Sequence, residues 1–288
     1  MPLNLVPKLL MQLEEFHGRQ QPCWPTEPYE FIVWWHCGYP ASDERCAKGW
    51  AALNRDVGSS PRQILAAAPK ALAAALKPAV MLPDLAAQRL KEIAARVQDE
   101  FGGDFRRALI GPLSQARKVL KQFHSIADPG ADRILLFAGI TPVAAVPSNC
   151  PYVLVRLLHG LERESYGLTY REAQKAISAQ VPETFDARQR AYLLLKQHGQ
   201  QICKRTNPKC DRCPVRKNCA YFSGRKGFSS VSSFNPTSLE NKRMFYAAAS
   251  LQATTCSFYS GSKFLSPAHQ VCSLAPEVQA CVRDSTLL

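Results

Sequence analysis

Residues 203–219 read CKRTNPKCDRCPVRKNC: four cysteines separated by six, two and five residues, with basic side chains in most of the gaps. Four thiolates in so short a loop can wrap a small inorganic centre without help from elsewhere in the chain. A structural zinc site usually pairs short C-x-x-C knuckles at both ends of a longer loop. Only one such knuckle, Cys210–Cys213, is present. The irregular wrap suits a cubane iron–sulfur cluster, whose four iron corners each take one cysteine. Zinc stays open as the alternative on spacing alone.

The charge around the loop points the same way as the charge of the chain. From 203 to 226 there are eight basic residues against one acid, Asp211. The whole chain of 288 residues carries +13, of which +3 falls in residues 224–288 and the remainder in 1–223. An excess of that size favours a polyanionic partner, nucleic acid before membrane. No apolar run approaches a bilayer's thickness and the first twenty residues lack a signal-peptide layout. The expectation is a cytoplasmic, nucleoid-associated protein. Eleven cysteines in a reducing compartment then argue for metal or cluster ligation over disulfides. Cys23, Cys37, Cys46 and Cys150 are scattered and read as buried small hydrophobes.

Outward from the cysteines, residues 1–223 read as helix after helix. Leu82, Leu85, Ala86, Leu90, Ile93, Val97 and Phe101 recur at helical spacing, and Gly102-Gly103 should stop that helix. Leu113, Ala116, Val119, Leu120 and Phe123 form a second stripe, with Pro112 as a first-turn residue. Thr169-Tyr170-Arg171-Glu172 has the form of a capping box. Asp186 is placed to cap a helix whose core face is Ala187, Ala191, Tyr192, Leu195 and Ile202. No convincing β-hairpin signal is present, so the expected class is all-α. After Phe222 the chain turns Ser- and Gly-rich. Residues 224–288 read as a disordered extension, with a short helix at Met244–Leu251 and three further cysteines, Cys256, Cys272 and Cys281.

C-x6-C-x2-C-x5-C behind a helix ending LLLKQHGQQIC resembles the cluster loop of the endonuclease III family, DNA glycosylases of the helix-hairpin-helix superfamily. The resemblance extends over most of 25–223. YEFIVWWHCGYPASDERCAKGWAAL (29–53) is similar to the family's early helical segment, and SNCPYVLVRLLHGL (148–161) to its helix leading into the cluster domain. It implies a two-lobed all-α fold with a C-terminal iron–sulfur cluster loop. A six-helix barrel domain would occupy 23–141, with a helix-hairpin-helix at about 112–138. A cluster domain would combine 1–22 with 142–223. A structural [4Fe-4S] cluster on Cys203, Cys210, Cys213 and Cys219 is implied, and duplex DNA bound between the lobes. The loop after Cys203 would lie along the DNA backbone, where Lys204, Arg205, Lys209 and Arg212 neutralise phosphates without reading sequence.

At the reacting positions the chain departs from the family. The hairpin motif, of the type LPGVGRKTA, matches FHSIADPGA at 123–131. Ser125 and Ala127 replace the glycines that let backbone N–H groups approach a phosphate, and Pro129 stands where the nucleophilic Lys would be. The essential Asp is replaced by Pro147, and the Gln inserted into the DNA stack by Pro40. Proline supplies neither amine nor acid. Because Ser125 and Ala127 take φ > 0 less readily than Gly, a reshaped hairpin is expected. Asp132 and Asp128 are the nearest carboxylates. Asp132, one turn into the second hairpin helix, could face the groove and stabilise an oxocarbenium-like sugar; otherwise Asp128 is a cap and Asp132 a surface residue. The resemblance implies a monomeric base-excision repair protein on double-stranded DNA. On that resemblance it would act either as a monofunctional DNA N-glycosylase without lyase activity or as a catalytically inactive DNA-binding paralogue recognising damaged or bent DNA.

Overall fold

The computed structural model describes residues 4–229. The chain divides into two compact units, Met1–Ser223 and Gly224–Leu288. The expected extension, its Met244–Leu251 helix and Cys256, Cys272 and Cys281 lie almost wholly outside the described residues.

The described residues are built from helices, and no strand occurs among them. In order they are α1 (Leu5–His17), α2 (Pro28–His36), α3 (Asp43–Asp56), α4 (Pro61–Ala66), α5 (Pro69–Leu76), α6 (Pro83–Phe101), α7 (Leu113–Leu120), α8 (Asp128–Phe137), α9 (Tyr152–His159), α10 (Tyr166–Gln180), α11 (Phe185–Gln201) and α12 (Ala220–Ser229). Prolines open α2, α4, α5 and α6, where a missing N–H costs little and a fixed φ is pre-set for the helix. Ser60 and Gln63 satisfy each other's backbone N–H groups in a reciprocal cap on α4. The stripe read at 82–101 is α6: Ala86, Leu90, Ile93 and Val97 are buried, and Gly102 stops the helix at φ 58°.

Two helix starts differ from expectation, and in both a hydroxyl further upstream takes the cap. Ser165 accepts from the Leu168 N–H, so α10 begins before Thr169, whose hydroxyl donates back to the Ser165 carbonyl. Thr184 accepts from the Ala187 N–H and caps α11, leaving Asp186 as an acid in the first turn. Pro112 sits just ahead of α7, which ends at Leu120, before Phe123. Cys37, Cys46 and Cys150 are buried as expected, whereas Cys23 is exposed.

The apolar interior falls into two clusters. One gathers α2–α8, with Trp34, Leu53, Leu72, Leu90, Phe105 and Leu135 among its members. The other joins α1 (Val6, Leu9, Leu13) to α9, α10 and α11. Helix α11 serves both, giving Tyr192 and Leu193 to the first and Ala191, Leu194 and Leu195 to the second.

Candidate nucleic-acid interface and cysteine loop

Helices α7 and α8 pack as a helix–hairpin–helix. The turn closes through Gln122 N–H to the Val119 carbonyl and Ile126 N–H to the Phe123 carbonyl. Ser125 takes the left-handed conformation at φ 61°, so the turn keeps a glycine-like backbone with a side chain in place. That corrects the expectation of a reshaped hairpin at this residue; Ala127, at φ −100°, is extended. Pro129 lies in the first turn of α8, as its geometry allows.

A cleft of about 400 Å³ opens beside the hairpin, within the size range of small-molecule sites. Ser125, Ala127 and Pro129 form one side; Tyr39, Pro40 and Asp43, from the α2–α3 connection and the start of α3, another. Ser148, Asn149, Tyr166, Tyr192 and Lys196 complete it. Phe31 and Trp35 stack with ring centroids 6.3 Å apart, and Tyr39 lies 5.0 Å from Trp35. Three of the positions where family function was expected, 125, 127 and 129, therefore share one cleft with Pro40. Pro147 is buried, and its neighbours Ser148 and Asn149 do the lining.

The polar floor was not legible in the sequence. Asp43 receives the Lys196 ammonium at 2.8 Å and the Arg133 guanidinium at 3.3 Å, all three side chains being almost enclosed. Burial works to raise the Asp43 carboxyl, but Arg133 and Lys196 together hold it below the ordinary carboxylate range. Arg133 lies 3.7 Å over the Trp24 ring, the Lys196 amine 5.7 Å from it. Residues 43, 133 and 196 are far apart in sequence, and no local motif joins them. Their only sequence signal is charge on otherwise apolar helix faces.

Asp132 and Asp128 occupy other roles. Asp132 is fully buried, and its Oδ1 takes Arg117 at 2.7 Å. Its Oδ2 accepts from the Tyr170 hydroxyl at 3.0 Å and the Gln174 amide at 2.8 Å. Burial raises this carboxyl against the pull of Arg117. Neither groove-facing nor on the surface, Asp132 is an anchor between the hairpin and α10. Asp128 is exposed, pairs with Lys121 at 2.8 Å, and begins α8 rather than capping it.

The chain matches no protein-family profile and no curated protein sequence. Solved structures do match it. A non-covalent complex of endonuclease III with DNA superimposes with a TM-score of 0.60 at 18% identity, over 77% of this chain and 97% of that one. A trapped covalent intermediate of endonuclease III with DNA gives 0.59 at 18%, over 77% and 97%. A thermostable thymine-DNA glycosylase gives 0.59 at 20%, over 76% and 95%. The fold is that of the helix-hairpin-helix DNA glycosylases.

In this glycosylase fold the four clustered cysteines close the helical unit. Cys203, Cys210, Cys213 and Cys219 line one cavity together with Arg156, His198 and Tyr221. Two 3-10 turns, Cys210–Arg212 and Arg216–Asn218, separate them, and the Cys203 N–H donates to the His198 carbonyl at 2.8 Å. Burial pushes the Cys203 thiol up to about 12 and Cys213 to about 11, their cysteine neighbours adding to the rise. Arg156 of α9 holds the loop's backbone, donating to the Lys204 carbonyl at 3.0 Å and the Arg205 carbonyl at 3.1 Å. It also pairs with Glu162 at 2.8 Å. Lys204, Arg205, Lys209 and Arg212 are exposed on the outside of the loop, Arg205 bonded to Glu162 at 2.7 Å. Among the described residues no three ligand side chains converge closely enough to grip a single metal ion, and no helix is long and apolar enough to cross a membrane.

Proposed function

We propose that this chain is a DNA-repair protein of the endonuclease III type. It acts as a monomer inside the cell, binding duplex DNA along the hairpin and cysteine loop and taking one base into the cleft. The observation that carries this reading is the cleft, where an aromatic wall and a buried ionic floor meet the hairpin. Aromatic faces stack a flipped base whatever its identity. The floor holds two cations and one carboxylate, so its formal charge favours departure of the base as an anion. Asp43, held ionised, is the group we assign to orient the attacking water. With proline at 129 and 147 no amine or acid stands at the family positions, so the reaction assigned is hydrolysis of the N-glycosidic bond without a lyase step.

A [4Fe-4S] cluster on Cys203, Cys210, Cys213 and Cys219 belongs to the same proposal. The donor set fits: four thiols face one cavity, and at Cys203, Cys213 and Cys219 burial makes the thiol proton hard to remove, a cost that iron offsets. A cubane ligated at four separate corners also accepts sulfurs spaced more widely than one ion can. When bound, the cluster would fix the loop and take no part in base chemistry.

The test is base release from duplexes carrying uracil, an oxidised pyrimidine or mismatched adenine, read alongside binding and borohydride trapping on abasic-site DNA. Release without a trapped adduct is the expected outcome. Binding with no release on any duplex would establish the non-catalytic paralogue, which the loss of both family positions favours. An adduct that disappears in Lys196→Met would overturn the hydrolytic assignment.

A further inference from the structure

Helix α1 ends on His17, whose Nε2 lies 3.1 Å from Nδ1 of His198 on α11. The other nitrogen of the His198 ring, Nε2, lies 3.6 Å from the Cys213 sulfur. His198 is fully buried, and its carbonyl receives the Ile202 and Cys203 N–H groups at 2.9 and 2.8 Å, so the residue is fixed at both backbone and ring. Two contacts through the His198 ring therefore link the end of α1 to one of the clustered sulfurs.

Hydrogen-bond chemistry gives this line a direction. A metal-bound cysteine sulfur is a thiolate and only accepts, so the His198 nitrogen facing it has to carry the proton. That holds whether the ring is neutral or charged. In the neutral ring Nδ1 is then the acceptor, and His17 supplies the N–H that it takes. Partners of this kind fix a ring's tautomer and orientation.

We propose that His198, held by His17, is a positioning residue for the candidate iron–sulfur centre, donating its Nε2–H to the Cys213 thiolate and so setting the centre's reduction potential. The inference rests on the cofactor reading above. An N–H aimed at a ligand sulfur stabilises the more negative, reduced cluster and raises its potential. Helix α1, more than 180 residues upstream of the cysteines, thus contributes to the centre's electronics as well as to the apolar core.

The experiment measures iron and sulfide content and the midpoint potential, by voltammetry, of the full chain and three variants. His198→Leu removes the donor and is expected to shift the potential to a more negative value. His198→Gln, whose amide keeps an N–H on a similar reach, is expected to restore it toward that of the parent protein. His17→Leu, at the half-buried end of α1, is expected to shift it in the same direction as His198→Leu. It keeps the test decisive if the leucine at 198 prevents loading. A fully loaded His198→Leu or His17→Leu protein with the parent potential overturns the inference while leaving the cluster in place. A parent protein without iron and sulfide overturns both.

Discussion

The Asp43 carboxylate and the Lys196 ammonium meet at 2.8 Å, one from the start of α3 and the other from the middle of α11. Both are almost enclosed, so each relies chiefly on protein partners in place of lost hydration. Lys196→Met leaves Asp43 with Arg133 alone and is expected to cost about 2 kcal/mol in urea denaturation. Asp43→Asn strands two cations and is expected to cost about 3–5 kcal/mol. The double variant should lose less than the sum, because the two residues share one interaction.

Asp132→Asn is expected to lower stability by about 3 kcal/mol, since it leaves the Arg117 guanidinium without its buried counter-charge. The measurement is the urea midpoint. Any accompanying loss of DNA function should track the folded fraction across temperature, in contrast to a change at a reacting group.

Ser125→Gly is expected to raise stability by about 0.5–1 kcal/mol. The left-handed conformation is unfavourable for serine and open to glycine, which gives back part of the gain through its freer unfolded chain. Thermal unfolding of the two proteins would show it.

His36 is buried, with its Nδ1–H donated to the Ile32 carbonyl at 2.8 Å, and burial lowers its pKa from 6.5 to about 4. The folded value lies below the unfolded one. Its contribution is therefore present above about pH 6.5 and lost as pH falls from there toward 4, up to about 3 kcal/mol in all. His36→Asn, which keeps a donor near that carbonyl, should flatten stability over this window. Parallel denaturation at pH 7 and pH 5 checks the difference.

Lys204→Ala with Lys209→Ala should reduce the salt slope of duplex affinity by about 2, near one unit for each phosphate contact removed. These two are exposed, whereas Arg205 is engaged with Glu162 and makes the poorer choice. An unchanged slope in a filter-binding titration would place the DNA elsewhere.

What could be read from the sequence was local. The α6 stripe with its glycine stop concerns neighbours along the chain, and it stands in the structure. Where two caps competed, the hydroxyl further upstream, at Ser165 or Thr184, prevailed over Thr169 and Asp186, because helix length is settled by packing as well as by the cap. Ser125 defied its propensity, since the packing of α7 on α8 dictates the turn and propensity is a weaker term. The Asp43–Lys196–Arg133 floor and the Arg156 hold on the loop were invisible, because both join residues brought together only by the tertiary fold. Asp132 was misplaced for the same reason: three of its partners' donors converge from α7 and α10, and no spacing within α8 reveals them.

That knot on Asp132 also bears on mechanics. It fastens the hairpin to α10 through a carboxylate with no solvent contact, so the hairpin cannot swing as a hinge without exposing bare charge. The cleft beside it behaves as a fixed jaw. On the function proposed above, a duplex seated there would meet a partner that does not close around it, and the bending and base extrusion would have to come from the DNA. Sites already weakened by a mismatch or a damaged base would give way most easily, so stiffness in the protein would be a means of sorting one stretch of duplex from another.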